Sequence, residues 1–381
     1  MSIIKMIFAA ILIIHGLIHL MGFGKAFQLA EINQLTQTIH KPIGVLWLIS
    51  ALLFIIAAAV FLLRKDWWWM VAVPALALSQ LLIIIYWPDA KYGTIANVVI
   101  LVGIVIGCGT WSFNAMVKNE LEAFIPPVSS GKEIVTKEML GDLPPAVQKW
   151  LDSSNVIGKE IVYSAHLQQI GEMRTAPDGK WMPVKAGQWF KTEKPGFVWV
   201  ADVKAAPGIH LAGRDKYENG EGHMLIKLLS LINVADAKGK ETSQGAMLRY
   251  LAEIIWFPSA ALNDYIQWEQ IDSTTAKATM TYGGITAPGL FKFDANGDVV
   301  SFEAKRYYNR KGVATLEDWF IQIEPNGYKE FEGVRIPARS SVTWKLKEGD
   351  FTWYKLEITD IYYNRIRLHP GPSYYDILKA G

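Results

Sequence analysis

The chain has 381 residues, 51% of them apolar, a formal net charge of +2 and a single cysteine, Cys108. That balance excludes the basic stripe a nucleic-acid partner requires. One cysteine excludes intrachain disulfides and cysteine-based zinc sites. The averages hide a break near residue 114. Residues 1–113 carry six Lys/Arg and three acids, which leaves 32 basic and 33 acidic residues in 114–381. The downstream part is therefore close to neutral and exerts no strong pull on anionic lipid.

Upstream of the break lie four apolar runs, Ile3 to Phe23, Ile43 to Leu63, Trp67 to Trp87 and Ile95 to Phe113. Each has the length a helix needs to cross about 30 Å of hydrocarbon, and inside a bilayer only a helix satisfies its own backbone. The first run is too long for a cleaved signal peptide, and no small-residue cleavage site follows it. Trp67, Trp68, Trp69, Trp87 and Trp111 mark the interfaces. Pro74 is expected to kink the third helix. Between the first two runs, Leu29, Ile32 and Ile39 recur at roughly helical spacing, which predicts a short interfacial helix over 25–41 or else a plain loop. Four spans put both ends on one side. That side collects Lys5, Arg64, Lys65, Lys118 and Lys132 against Lys25, Lys41 and Lys91, a small excess that favours a cytoplasmic soluble domain.

His15 and His19 stand four residues apart on one face of the first helix. Intramembrane ionisable groups are functional candidates, and this spacing suits a metal, haem or proton role. Helix–helix packing through hydrogen-bonded neutral rings is the other reading, with Gly16 and Gly22 allowing close approach.

Residues 114–142 read as a linker centred on Pro126, Pro127, Ser129, Ser130 and Gly131, followed by a soluble domain over 143–381. Leu143 to Ser153 predicts a short helix, with Pro144 and Pro145 in its first turn. From Ile161 onward the period is two. Phe197, Trp199, Ala201 and Val203 alternate with polar or opposite-facing neighbours, as do Val342, Trp344 and Leu346. Asp178-Gly179, Asn219-Gly220, Gly283-Gly284, Asn296-Gly297, Asn326-Gly327, Glu332-Gly333 and Glu348-Gly349 punctuate these stretches. Such dipeptides supply the positive φ of tight hairpins. The pattern predicts about eleven strands, nearly all antiparallel. Glu241 to Phe257 interrupts it as a helix stopped by Pro258, with Met247, Tyr250, Leu251, Ile254 and Phe257 on one face. A lone helix in an antiparallel meander covers one face of the sheet or plugs an incomplete barrel.

The expected fold is thus a four-helix membrane anchor carrying a β half-barrel with one covering helix. Nine tryptophans in the soluble part either fill a large curved sheet or line an apolar cavity. Trp189, Trp199, Tyr250 and Trp256 are the candidate cavity residues, and Arg249 the candidate cation for an anionic headgroup. Arg249 and Glu253 form an i, i+4 pair that reads as an anion-binding or acid–base site, or as an ordinary helix ion pair.

No nucleophile elbow, phosphate loop, dinucleotide fingerprint or His-Glu-x-x-His is present. No cofactor or metal set is named by the sequence. Of the soluble histidines His166, His210, His223 and His369, the pair His210 and His223 flanks a hairpin turn. With Asp215 and Glu221 it sketches an acid–base or metal site if adjacent strands bring the rings together.

Met247-Leu248-Arg249-Tyr250-Leu251-Ala252-Glu253 followed by Ile254-Ile255-Trp256-Phe257-Pro258 resembles the signature of an uncharacterised prokaryotic family, a domain of unknown function. Pro195-Gly196-Phe197-Val198-Trp199 and Ala206-Pro207-Gly208 look like its companion motifs, and the resemblance spans about Leu143 to Tyr363. His15-Gly16-Leu17-Ile18-His19-Leu20 looks like the membrane segment some members carry. The resemblance implies no activity. Tyr328 to Pro337, entering a long strand, is similar to late hairpins of LolA/LolB-type lipoprotein carriers, which implies an incomplete barrel with helices over an apolar cavity. Three functions are therefore expected as alternatives. They are a membrane-tethered binder of a lipid or other apolar ligand, a membrane enzyme using Glu253 or His210 with His223, and a structural or signalling module that recruits a protein partner.

Overall fold

A computed structural model describes residues 3–125, 133–310 and 312–365. The chain divides into two compact units, the first made of the residues up to Met116 together with Leu229–Leu231, the second of Val117–Leu228 and the residues from Ile232 on. The helices of the first part are α1 (Ile3–Ala26), α2 (Lys41–Leu62), α3 (Trp68–Ile85), the single turn α4 (Trp87–Ala90) and α5 (Gly93–Phe124). Four of them, α1, α2, α3 and α5, are long and apolar enough to cross a membrane. α3 continues through Pro74.

Packing in this unit rests on small residues. Gly22 lies against the Trp47 ring so closely that a Cβ there would sit 2.2 Å from a ring carbon, the close approach that glycine permits between membrane helices. The segment between α1 and α2 is a loop of turns and bends, not a helix. Local hydrogen bonds account for this. Asp89 accepts from the Thr36 and Gln37 backbone N–H groups at 2.7 and 3.0 Å, and Lys25 donates to the Leu35 carbonyl. Leu35 and Ile39 are thereby drawn into a buried cluster with Trp47, Leu82 and Tyr86.

The histidine pair is built into this packing. His15 Nε2 donates to Asn97 Oδ1 at 2.8 Å, Asn97 Nδ2 donates to Ser79 Oγ at 3.0 Å, and His19 Nδ1 donates to the His15 carbonyl at 2.8 Å. One polar chain therefore ties α1, α3 and α5 together, while His19 Nε2 is buried with no hydrogen-bond partner among the described residues.

The helix that opens with the fourth apolar run does not stop at the composition break. α5 extends to Phe124, so the first part of the segment read as a linker is helical. The Pro126 to Gly131 centre of that segment lies outside the described residues, as does His369. Its last part belongs to the β unit: Val135 and Leu140 are buried, and the Glu133 carbonyl and Val135 N–H pair with Ile161 and Lys159. α6 (Pro145–Ser153) follows as expected, with Pro145 in its first turn and Val147, Trp150 and Leu151 buried.

Among the described residues the second unit has fifteen strands, not about eleven. They are β1 (Ser164–Met173), β2 (Met182–Lys191), β3 (Gly196–Ala206), β4 (Ile209–Glu218), β5 (Glu221–Leu228), β6 (Ile232–Ala237), β7 (Ile266–Asp272), β8 (Thr275–Tyr282), β9 (Ile285–Phe293), β10 (Val299–Arg310), β11 (Val313–Ile323), β12 (Tyr328–Phe331), β13 (Val334–Pro337), β14 (Arg339–Leu346) and β15 (Gly349–Tyr363). β6, β12 and β13 are only four to six residues long and carry too few alternations to stand out in the sequence. Thirteen strands form one antiparallel sheet in the order β6-β5-β4-β3-β2-β1-β15-β14-β11-β10-β9-β8-β7, and β12 pairs with β13 separately. The first and last strands, β1 and β15, meet at its centre. Six of the seven turn dipeptides join paired neighbours, while Asn326-Gly327 leads from β11 into the small β12–β13 hairpin.

This topology dictates where the covering helix must lie. β6 and β7 are the two free edges of the sheet and are consecutive in sequence. The chain joining them has to cross from edge to edge, and the crossing is made by α7 (Lys240–Glu253) and two short 3-10 turns, Ile254–Trp256 and Pro258–Leu262. The sheet is therefore an open half-barrel with α7 across its concave face. Most of α7 is buried, from Ser243 through Met247 and Leu251 to Glu253. Beneath it Tyr250, Phe190, Phe197, Tyr217 and Phe257 pack edge and face, with centroids 4.6 to 6.4 Å apart.

Two turns from opposite halves of the sheet come into contact. The Asn219-Gly220 turn of β4–β5 abuts the Gly283-Gly284 turn of β8–β9, where a Cβ on Gly283 would sit 2.5 Å from Gly220 Cα. Gly283 also has φ +58°. Gly283→Ala is expected to lower the unfolding free energy by about 1–3 kcal/mol, because overpacking adds to left-handed strain. Denaturant titration followed by tryptophan fluorescence checks this; a loss no larger than that of Gly284→Ala, whose Cβ meets nothing within 4 Å, counts against it.

Candidate functional site

Alternation along the strands decides which polar side chains share the concave face. Gln188 on β2 stands opposite Trp199 on β3, which stands opposite Asp215 on β4. Arg249 and Glu253, one turn apart on α7, descend onto this row. Arg249 Nη1 donates to Asp215 Oδ2 at 2.8 Å, Arg249 Nε to Glu253 Oε1 at 2.8 Å, and Gln188 Nε2 to Glu253 Oε2 at 2.7 Å. Gln169 Nε2 donates to Gln188 Oε1 at 3.1 Å, and Gln169 Oε1 accepts from Trp199 Nε1 at 3.1 Å and from the Tyr354 hydroxyl at 3.3 Å. The guanidinium of Arg249 also lies 4.9 Å from the ring centroids of both Phe197 and Trp199, a distance at which an aromatic face attracts a cation.

The pair is buried, with the Arg249 and Glu253 side chains 14% and 9% exposed. It is therefore not a surface ion pair of the helix. Burial raises the Glu253 pKa above the ordinary carboxylate value, and the Arg249 charge with its hydrogen bonds only partly opposes this. Burial works against the Arg249 charge too, but Glu253 and Asp215 outweigh it and raise its pKa. Both Glu253 oxygens are engaged, and Arg249 already faces two carboxylates.

The other candidate residues separate. Trp199 borders the network and is partly exposed. Tyr250 is core: its hydroxyl meets that of Tyr265 at 2.9 Å and its ring is fully buried. Trp256 is core as well, donating from Nε1 to the Pro337 carbonyl at 3.1 Å. The space beneath α7 at these two rings is filled by side chains. Trp189 points to the opposite, convex face, because it alternates with Gln188 and Phe190. There it stacks on His166 at 4.5 Å and 8°.

His210 and His223 are not brought together. The register sets His210 opposite Lys204 and His223 opposite Lys216, well apart along β4. His223 instead contacts Arg214 Nη2 at 2.9 Å and Asp236 Oδ1 at 2.8 Å. Among the described residues no group of three His, Cys, Asp or Glu is placed to hold a metal ion. A shallow groove of about 430 Å³ lies on the convex face, lined by Glu172, Lys185, Asp202, Lys204 and Lys355 among others, away from the concave network.

Arg306 on β10 is a functional candidate that sequence reasoning missed. Its guanidinium lies 4.6 Å from the Trp319 ring centroid and 5.8 Å from that of Trp344, rings that stand opposite each other on β11 and β14. Gly245 of α7 leaves room for it: a Cβ there would stand 3.0 Å from Arg306 Nε. The cross-strand neighbour of Arg306 is Glu317, but Glu317 accepts from Arg310 and Thr315 instead. Among the described residues no carboxylate lies within ion-pair distance of Arg306. Burial is the main cause that lowers its pKa to about 10, with Asp215 and Glu253 opposing and Arg249 adding to the shift. It stays charged at neutral pH. Nothing local in the sequence marks this arginine, because the rings that hold it come from two other strands.

No curated protein matches the chain. Residues 133–356, more than half of its length, match the model of one family, described only as a family of unknown function. The chain, with its open half-barrel and crossing helix, thus belongs to the family of unknown function DUF6544.

Proposed function

We propose that this protein is a membrane-anchored half-barrel that binds a lipid or other apolar molecule on its concave face, beside α7 rather than beneath it. The observation that carries this reading is the aromatic wall that continues past the helix. Trp199 and Tyr308 are partly exposed there, Tyr308 packs on Trp344 at 5.0 Å, and Gln169 bonds Trp199 and Tyr354 into the same wall. A concave apolar surface with a few fixed polar groups is the usual form of a small-molecule site. The buried Asp215–Arg249–Glu253 network serves as scaffold: it locks α7 to β2 and β4 and fixes the tilt of Trp199. Four apolar helices would keep such a domain close to a source of lipid.

The test uses the full chain in phosphatidylcholine nanodiscs with a diazirine-bearing long-chain alcohol. Photolabelled peptides are expected from β3, β10, β11 and β14, with labelling suppressed by excess unlabelled alcohol and weakened by Trp199→Ala. Label confined to the membrane helices overturns the reading. Recovery of a chemically altered probe, abolished by Glu253→Gln, would move it to the enzymatic alternative.

A further inference from the structure

We infer that the apolar ligand carries an anionic group, a carboxylate or a phosphate, and that Arg306 is the residue that receives it. This inference rests on the binding function proposed above and names its ligand class.

Four observations converge. First, Arg306 lies on the concave face, since it shares its side of β10 with Phe302, which packs on Trp319. It is therefore on the wall assigned to the ligand. Second, the guanidinium carbon lies over the Trp319 ring and near that of Trp344, and among the described residues its N–H groups make no hydrogen bond. Those donors are open to a forked acceptor such as a carboxylate or phosphate. Third, the nearest acids are committed elsewhere. Glu317 is turned to Arg310 at 3.2 Å, and Asp215 and Glu253 are held by Arg249. A cation this far withdrawn from water normally has a close anionic partner, and Arg306, only partly exposed, has rings and no carboxylate within ion-pair distance among the described residues. Fourth, the two arginines of the cluster differ in a way that divides their roles. Arg249 already has two carboxylates at 2.8 Å and a third acceptor, Gln188 Oε1, at 3.3 Å. Arg306 has open donors and the aromatic surroundings that an apolar chain would share.

The alternative is that Arg306 only balances, at longer range, the second negative charge of Asp215 and Glu253. The two roles separate in a measurement of preference rather than of stability. Full-length protein in phosphatidylcholine nanodiscs is photolabelled with a diazirine-bearing fatty acid and, in parallel, with the alcohol of the same chain. The acid is expected to label the β10, β11 and β14 peptides at about tenfold lower concentration than the alcohol. In Arg306→Gln this preference should vanish while alcohol labelling persists, and Arg306→Lys should restore part of it. The corresponding alkyl phosphate should behave as the acid does if charge rather than the carboxylate shape is read. Equal labelling by acid and alcohol in the unaltered chain, or a preference that survives in Arg306→Gln, overturns the inference and leaves the binding function standing. Absence of label from residues 133–365 with every probe overturns both.

Discussion

Arg249→Met is expected to lower the unfolding free energy of the β unit by about 3–5 kcal/mol, the cost of removing one partner from a buried ion pair. Methionine replaces much of the packed stem, so the loss reports the charge. What it strands are two carboxylates, Asp215 and Glu253, each 2.8 Å from the missing guanidinium and each about a tenth exposed. Glu253 would keep only its bond from Gln188. The loss should shrink as the pH falls, because a stranded acid escapes its penalty by taking up a proton. Adding Asp215→Asn and Glu253→Gln to Arg249→Met should recover most of it, since a neutral network has no charge to bury. Denaturant midpoints of the full chain, read by tryptophan fluorescence at pH 5 and pH 8, provide the check. A change within about 0.5 kcal/mol for Arg249→Met, the range typical of surface substitutions, would falsify the burial argument.

Glu253 itself has an unusual sign. Its pKa is higher in the fold than the ordinary carboxylate value, so the folded state holds that proton more firmly than the unfolded state. Its contribution to stability is fully present below the ordinary pKa and is lost as the pH rises through the raised one. Most carboxylates in ion pairs behave oppositely.

Acidification should weaken the fold through His166, opposite in sign to Glu253, by up to about 3 kcal/mol between pH 6.5 and 4. The ring is stacked between Trp189 at 4.5 Å and Tyr362 at 6.2 Å, and its Nε2 is buried without a hydrogen-bond partner. Burial lowers its pKa from 6.5 to about 4. In that window the unfolded chain binds a proton that the fold refuses, so stability rises with pH and falls as the pH drops through it. His166→Phe keeps a flat ring against Trp189 and has nothing to protonate. The melting temperature of the variant should therefore decline less steeply than that of the unaltered chain between pH 7 and pH 4. Parallel decline of the two curves would show that the ring is not desolvated.

Much of the architecture is legible in the sequence. Apolar runs of about 20 residues have one solution in a bilayer, so the four long helices follow from composition. Asn-Gly and Gly-Gly turns at positive φ permit few alternatives, so the hairpins follow too. An isolated helical pattern between two strand series had to cross the sheet, and α7 does so. Errors arose where a local pattern was weak or was overruled. β6, β12 and β13 were too short to count, and α5 ran on past the last apolar residue into polar sequence; between the two readings of Lys25–Lys41, Asp89 decides for the loop.

The candidate site was legible only in part, and the limit is physical. Arg249 with Glu253 could be read because an α-helix brings i and i+4 together by its own geometry. Trp199 could be placed on a strand, but Trp189 was assigned to the wrong face because alternation gives the period and not its phase. Asp215 reaches Arg249 from 34 residues away in sequence. Gln188 stands 65 residues from Glu253, and Gln169 stands 185 from Tyr354. Such pairings depend on strand register and on the central meeting of β1 with β15, which no local preference encodes. The sequence by itself determined four helices long and apolar enough to cross a membrane, a neutral antiparallel domain and a charged pair on the helix that crosses it. Only the tertiary structure decided that this pair is withdrawn from water and shared with Asp215 and Gln188, and that Arg306 lies beside two tryptophans from other strands with no carboxylate within ion-pair distance among the described residues.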